Sequence, residues 1–284
     1  MLKIGGLHML KKVAAINDLS GIGKCSLTVA IPILSALKVQ CCPFPTAILS
    51  SQTGFSQYSF LDLTKEMDEY SATWKNLHLQ IDTIYSGFLG SINQIDIVGR
   101  FIDENPHAFV IVDPVLGDDG LLYPIFNEKT CKKMQELVSR SNLITPNITE
   151  ACLLLNKEFK KEFTEDEIID IAKELSNLGP EKVIITGIIK QGMIYNLSYD
   201  NKTKKSFSYG LEYNKCSYSG TGDIFVSIIC GLVSNDYDLD FAVKIASDFI
   251  YKCVSYTSKY NIDRNHGVMF EMFLNDLTSI DKKI

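Results

Sequence analysis

The sequence predicts an α/β fold in which a central, mostly parallel sheet carries helices on both faces and an antiparallel hairpin at one edge. Strand-like and helix-like segments alternate along nearly the whole chain, which is typical of parallel sheets. The run 109–112 is apolar without interruption, as expected for a strand buried on both faces. Two polar-flanked strands, 193–199 and 206–210, are separated by a short polar turn at 200–202, which predicts the hairpin.

The first half of the chain supplies strands and helices in turn. The helix at 24–37 contains Pro32, which we expect to bend it, and the helix at 61–77 is rich in surface charge. The predicted elements, in order, are a strand at 13–17, the helix at 24–37, a strand at 47–49, the helix at 61–77, a strand at 81–85, a helix at 92–104 and the strand at 109–112.

The second half continues the alternation and ends in helices. The predicted elements are helices at 129–140, 150–155 and 165–178, short strands at 143–144 and 183–185, the hairpin, and long helices at 223–233 and 240–258. No linker, repeat or low-complexity tract interrupts this pattern, so we expect a single domain over residues 1–284. Residues 1–10 are expected to form a poorly ordered extension, because Gly5 and Gly6 precede any periodic pattern.

The composition excludes several classes of partner. The chain is 46% apolar with a net charge of −6, and Lys202, Lys204 and Lys205 form its densest basic group. Nucleic acid is therefore not an expected partner. No apolar stretch reaches the roughly 18 residues of a membrane span, so no membrane association is expected. Eight cysteines without a C-x-x-C pair indicate free thiols in the cytoplasm.

The most informative segment is Ser-Gly-Thr-Gly-Asp at 219–223, followed by an apolar helical run. Gly220 and Gly222 allow the backbone to approach a ligand closely. The unpaired N–H groups at a helix N-terminus bind anions, so the segment predicts a phosphate site. Asp223 would lie beside the phosphate, where it could take a proton from an attacking hydroxyl group. The alternative is a glycine-rich turn in which Asp223 caps the helix.

Acidic and amide residues follow two neighbouring strands. Asp113, Asp118 and Asp119 lie in a Pro- and Gly-containing turn after the strand at 109–112, which suits a hydrated Mg²⁺ or else forms a solvated acidic turn. Asn147 and Glu150 follow the strand at 143–144. They could contact phosphate and metal; alternatively, Thr149 or Asn147 simply caps the next helix.

Two further segments are placed at the same edge of the sheet. The segment 17–24 ends in Gly-Lys but has Asp18 where a Walker A loop needs glycine, and Cys25 where it needs Ser or Thr, so we reject a P-loop. It is expected to contact an acceptor substrate instead. Phe88 follows the strand at 81–85 and could either stack on a flat ring or pack in the core.

Taken together, these segments resemble the ribokinase superfamily and, within it, the pyridoxal kinase group. The resemblance extends from about Lys12 over nearly the whole chain. It rests on the order of four motifs, at 18–23, 113–118, 145–150 and 220–223. The Asp-Pro-Val-Leu-Gly-Asp motif at 113–118 and the Gly-Phe-Leu-Gly-Ser motif at 87–91 are more similar to pyridoxal kinases than to sugar kinases.

The resemblance implies a ribokinase-like fold and ATP-dependent phosphorylation of the 5′-hydroxymethyl group of pyridoxal, pyridoxine or pyridoxamine. It also implies a homodimer and, in many members, K⁺ near the anion hole. The implied catalytic residues are Gly220, Thr221 and Gly222 as the anion hole and Asp223 as the base. The implied Mg²⁺ residues are Asp113, Asp118 and Glu150. The implied nucleotide contacts are Asn147, Glu150, Thr186, Tyr123 and Asp113. The implied vitamin contacts are Asp18 and Thr53, through hydrogen bonds to ring substituents, and Ala47, Leu49 and Phe88, through packing.

Departures from the group leave the acceptor ring open. Asp18 stands where many pyridoxal kinases have Ser, and Asp-x-Ser-Gly is similar to the hydroxymethylpyrimidine kinases of thiamine synthesis. Leu19 and Gln52 replace common His residues, and the segment 119–123 is shorter than the usual phosphate lid. The alternatives are a hydroxymethylpyrimidine kinase, a non-catalytic metabolite sensor and a P-loop-type NTPase. The intact Asp223 disfavours the sensor, and the failed Walker pattern disfavours the NTPase.

Overall fold

A computed structural model describes residues 10–280 of the chain. The expected N-terminal extension therefore lies outside the described residues, apart from Leu10. The strands are β1 Lys12–Ser20, β2 Gln40–Leu49, β3 Phe60–Asp62, β4 Thr83–Ser86, β5 Phe109–Val112, β6 Gly117–Asp118, β7 Leu121–Leu122, β8 Leu143–Ile144, β9 Lys182–Lys190, β10 Met193–Asp200 and β11 Lys205–Glu212. The helices are α1 Ser26–Ala36, α2 Thr64–Asn76, α3 Ile92–Glu104, α4 Glu128–Val138, α5 Ile148–Leu154, α6 Glu165–Ser176, α7 Thr221–Ser234, α8 Leu239–Thr257 and α9 Leu274–Thr278, with 3₁₀ turns at Arg264–His266 and Phe270–Phe273.

Nine strands form one sheet in the order β11-β10-β9-β8-β5-β4-β1-β2-β3. The six central strands, from β9 to β2, are parallel. The predicted hairpin is confirmed as β10 and β11 at one edge. The opposite edge is also antiparallel, because β3 pairs with the end of β2. A separate small hairpin of β6 and β7 follows β5.

Helices cover both faces of the sheet, as predicted. Along β1, Val13 and Ala15 pack into the core beneath α1, α7 and α8, whereas Ala14 and Ile16 pack into the core beneath α2, α3, α4 and α6. Successive side chains of a strand point to opposite faces, so a strand buried on both sides is apolar throughout. No helix among residues 10–280 is both long and apolar enough to cross a membrane.

Several boundaries differ from the predicted ones for local physical reasons. β2 begins at Gln40 rather than at 47, although Pro43 and Pro45 argue against a strand. Its segment 40–46 pairs only with β1, so both prolines lie on a free edge where a missing N–H breaks no ladder. Helix α2 begins at Thr64 rather than at 61, because residues 60–62 form β3.

Candidate active site

The polar residues predicted at the carboxyl ends of the parallel strands do gather there. Asp18 lies within β1, Asp113 directly follows β5, and Asn147 lies three residues after the end of β8. Helix α7 brings Asp223 to the same cleft. Asp223 lies close enough to Asp113 for its charge to raise the pKa of Asp113, and Asp18 lies close enough to raise the pKa of Asp223. Ligands of open α/β sheets bind at this edge.

The glycine loop forms an open helix N-terminus. Helix α7 begins at Thr221, and Gly220 caps it in the left-handed conformation with φ 79° and no side-chain hydrogen bond. A methyl group on Gly220 would lie 2.0 Å from the Lys24 carbonyl oxygen, whereas one on Gly222 would meet nothing within 4 Å. The space beside Gly222 is open, and the first N–H groups of a helix have no partners within the helix, so this N-terminus is suited to binding an anion.

Asp223 does not cap its own helix, so the capping alternative is wrong. The Asn17 side-chain Nδ2 donates a hydrogen bond of 3.4 Å to its Oδ1. Burial raises the pKa of Asp223 to about 6, and the nearby charge of Asp18 raises it too, against the lowering effects of the Ser26 backbone N–H and of Asn17. A carboxyl group with a pKa near the working pH is suited to general base catalysis.

Asp113 and Glu150 form a buried acidic pair. Burial raises the pKa of Asp113 to about 7, and the Asp223 charge is a smaller cause in the same direction. A 2.8 Å hydrogen bond from Thr145 Oγ1 acts the other way and lowers the pKa. Burial and the Asp113 charge raise the pKa of Glu150 well above its ordinary value. Two buried carboxyl groups that oppose each other's ionisation favour a cation beside them.

This donor set fits Mg²⁺ held mainly through water and phosphate. Among residues 10–280, no three His, Cys, Asp or Glu side chains are close enough to hold a metal ion by themselves. Magnesium in phosphate sites usually has only one or two carboxylate contacts and keeps several waters. Asp118 is exposed on the β6–β7 hairpin, beside the buried pair.

The predicted nucleotide residues lie around the start of α5. Asn147 caps α5 with its Oδ1, which accepts the Glu150 N–H at 2.9 Å, and its Nδ2 donates to the Gly117 carbonyl at 2.9 Å. The backbone of Thr186 pairs with that of Asn147 in an isolated bridge. Tyr123 is 38% exposed, and burial together with the Glu150 and Asp118 charges raises the pKa of its phenol.

The predicted acceptor contacts divide into buried and accessible residues. Asp18 is 6% exposed, and its carboxylate accepts hydrogen bonds from Ser20 Oγ at 2.8 Å and from Ser26 Oγ at 2.5 Å. Thr53 is exposed and Phe88 half-buried, whereas the side chains of Ala47 and Leu49 are almost fully buried. The ring-contact role of these residues stays a prediction.

Sequence reasoning did not identify Asn17 and Ser26 as site residues. Both are buried polar residues, at the end of the apolar run of β1 and at the first turn of α1. Ser26 and Lys24 also have positive φ values of 54° and 48°. A signal for Asn17 was available, since it is an uncharged polar residue at the end of the apolar run of β1, toward the carboxyl end where ligands bind.

Comparisons with known proteins agree with this geometry. The family model described as phosphomethylpyrimidine kinase matches residues 31–269. A Bacteroides thetaiotaomicron structure, provisionally named a phosphomethylpyrimidine kinase, is 39% identical with a TM-score of 0.94, and covers 98% of each chain. A second crystal form of it, with pyridoxal, has a TM-score of 0.92 over 96% of this chain and 98% of that one, at 39% identity.

More distant relatives are named for the vitamin. Pyridoxal kinase from Lactobacillus plantarum is 26% identical with a TM-score of 0.88, over 95% of this chain and 97% of that one. Among curated relatives, pyridoxal kinase of Arabidopsis thaliana is 29% identical over 57% of this chain. The chain spans only 54% of that relative's length.

Proposed function

The chain belongs to the phosphomethylpyrimidine kinase family, and we propose that it transfers the γ-phosphoryl group of ATP to the 5′-hydroxymethyl group of a B6 vitamer. The acceptor would be pyridoxal, pyridoxine or pyridoxamine, and residues 1–284 would act as a single kinase domain. The ribokinase-like fold that the four motifs implied is confirmed by the structural relatives.

One observation supports the proposal above all others. An open helix N-terminus at Gly222 stands beside a carboxyl group, Asp223, whose pKa lies near 6 and which does not serve as a helix cap. Phosphoryl transfer needs positioning and charge neutralisation more than covalent help. The first N–H groups of α7 would meet the charge on the γ-phosphoryl oxygens, and Asp223 would take the proton of the acceptor hydroxyl group.

The remaining site residues would hold the nucleotide. Asp113, Glu150 and Asp118 would hold Mg²⁺ through its waters, and the ion would neutralise phosphate charge when bound. Asn147, Thr186 and Tyr123 would line the path of the ATP phosphates and sugar. K⁺ near the glycine loop and a homodimer remain proposals from the family resemblance, which a K⁺ titration of activity and light scattering would test.

The choice of pyridoxal over a pyrimidine rests on one finding. The Bacteroides protein, 39% identical over nearly the full chain, was crystallised with pyridoxal. The second candidate is a hydroxymethylpyrimidine kinase, favoured by the family model and by a Bacillus subtilis hydroxymethylpyrimidine/phosphomethylpyrimidine kinase that is 27% identical over 66% of this chain. A P-loop NTPase is disfavoured, because Asp18 stands where a Walker A loop needs glycine and Cys25 where it needs Ser or Thr.

The deciding experiment measures ATP turnover by the full chain with pyridoxal, pyridoxine, pyridoxamine and hydroxymethylpyrimidine as acceptors. Each product is identified by mass spectrometry, and Asp223→Asn provides the background rate. We expect kcat/KM to be highest for a B6 vitamer. A higher value for hydroxymethylpyrimidine would favour the second candidate, and no phosphorylated product above background would reject both kinases.

A further inference from the structure

Asn17 is a fully buried polar residue to which the proposed mechanism gives no part. Its side-chain Oδ1 accepts two backbone N–H groups at 3.0 Å each, from Asp18 and from Phe88. Its Nδ2 donates to Oδ1 of Asp223 at 3.4 Å. The amide therefore joins β1, the loop after β4 and the first turn of α7.

The two accepted hydrogen bonds decide which way the amide faces. Reversing it would turn its NH₂ group toward two N–H donors and leave all of them unsatisfied in a buried place, which is costly. Gly87 closes the adjacent space, because a methyl group there would lie 2.4 Å from Nδ2. The NH₂ group is thus held toward Asp223 by the surrounding backbone.

We infer that Asn17 is a positioning residue that orients the Asp223 carboxylate toward the acceptor hydroxyl group. The inference rests on the proposed kinase function. The Phe88 N–H belongs to the loop that is expected to flank the acceptor ring, so Asn17 links the orientation of the base to the position of that loop. Asp18, Asp113 and Asp223 are the charged groups of this corner.

The first test is Asn17→Asp, which keeps the side-chain shape and the accepted N–H bonds but replaces the donor to Asp223 by a negatively charged oxygen. We expect kcat to fall about 10- to 100-fold, because a misplacement of about 1 Å at a reacting group costs on the order of 10²-fold. The KM values for ATP and for the acceptor should change less than about threefold, since the proposed role acts through the orientation of Asp223 rather than through substrate binding.

Asn196→Asp is the matched control. Asn196 also bridges two elements, accepting the Gly187 N–H at 3.0 Å and donating to Ser247 Oγ at 2.8 Å, but it lies on β10. This variant should lose stability without a comparable loss of kcat. An equal fall of kcat in both variants, or a change in KM rather than in kcat for Asn17→Asp, would overturn the positioning role.

The second test needs no turnover. In the double variant Asn17→Asp/Asp223→Asn, the new amide can donate to the new carboxylate, so the hydrogen bond is restored with its partners exchanged. We expect the urea midpoint of the double variant to exceed that of Asn17→Asp, while activity stays at the Asp223→Asn level. Additive stability changes would refute the contact between the two side chains.

The outcomes also separate this inference from the proposed function. A wild-type protein that phosphorylates no acceptor overturns the proposed function, and the positioning role with it. A wild-type protein that is active, together with an Asn17→Asp variant of unchanged kcat, overturns the positioning role alone.

Discussion

The two sides of the cleft hold their carboxyl groups in different ways. On the nucleotide side, Glu150 is 5% exposed and both of its oxygens accept backbone N–H groups, from Asn147 at 2.9 Å and from Leu116 at 3.2 Å. On the proposed acceptor side, Asp223 is only half-buried, and it accepts the Ser26 backbone N–H and the side-chain amide of Asn17, the latter at 3.4 Å.

The two carboxyl groups therefore differ in how much each contributes to the stability of its helix. Glu150 completes a capping box with Asn147, so it stabilises α5 as well as adding negative charge to the site. Asp223 completes no such capping box, and beside the open N-terminus of α7 it is the proposed general base. We therefore expect substitution of Glu150 to lower stability more than turnover, and substitution of Asp223 to lower turnover more than stability.

The largest effect is expected for Asp223→Asn. A positioned general base contributes about 10²–10⁴-fold to the rate, so kcat should fall by that factor. Melting temperature should change little, because Asp223 caps no helix, and ATP affinity should be unchanged or tighter once a negative charge near the γ-phosphate is gone. Turnover close to that of the wild type would contradict the mechanism.

The two glycines of the loop provide the next comparison. Gly222→Ala adds a methyl group to open space, so the protein should fold with unchanged melting temperature. The methyl group would occupy the anion site, and kcat/KM for ATP should fall on the order of 10²-fold, as when one donor of an oxyanion hole is lost.

Gly220→Ala is the counterpart of Gly222→Ala. Its methyl group would strike the Lys24 carbonyl oxygen in a residue that has a φ of 79°, so soluble protein should be lost. Equal behaviour of the two variants in expression trials and thermal melts would contradict the distinction between a structural and a binding glycine.

Glu150→Gln should mainly destabilise the fold. The glutamine NH₂ group would face one of the two backbone N–H donors that Glu150 accepts now, and an unsatisfied buried donor costs about 1–3 kcal/mol. Urea unfolding measures this cost. A fully stable variant that needs more Mg²⁺ would show that Glu150 acts chiefly through the metal.

Asp113→Asn should show a pH-dependent change in stability. The pKa of Asp113 rises from 3.8 to about 7 on folding, so the folded protein holds a proton that the unfolded chain releases between these values. Wild-type stability is therefore lost as the pH rises through this window, and the variant is free of that loss. Without Mg²⁺, the variant's advantage in melting temperature should widen from pH 4 to pH 7.

The Mg²⁺ requirement of the same variant provides a second measurement. Removal of one carboxylate from the proposed metal site should raise the Mg²⁺ concentration at half-maximal activity. A magnesium titration identical to that of the wild type would remove Asp113 from this site, whatever its effect on stability.

The smallest change is expected in acceptor preference. Asp18 already accepts hydrogen bonds from Ser20 and Ser26, so Asp18→Ser should lower kcat/KM for pyridine and pyrimidine acceptors alike. Measuring kcat/KM of the variant and the wild type for a panel of pyridine and pyrimidine acceptors checks this expectation. A shift of preference between the two rings would support the direct ring contact that the sequence predicted.

Much of the fold and the central part of the site could be predicted from the sequence. The alternation of apolar strands and amphipathic helices fixed the parallel sheet, because burial on both faces requires it. The glycine spacing predicted the open start of α7, since glycine readily adopts the left-handed conformation found at Gly220. The acidic residues after β5 and β8 could be placed because carboxyl ends of parallel strands meet at one edge.

Only the tertiary structure decided what each polar side chain does there. Composition cannot show that Asn147 and Glu150 cap a helix while also lining the cleft, or that Asp18 is satisfied internally. Nor can it show that Asn17 faces Asp223, a residue 206 positions away in the chain. Burial and hydrogen-bond partners arise from contacts between distant segments, and these contacts set the pKa values and orientations on which the chemistry depends.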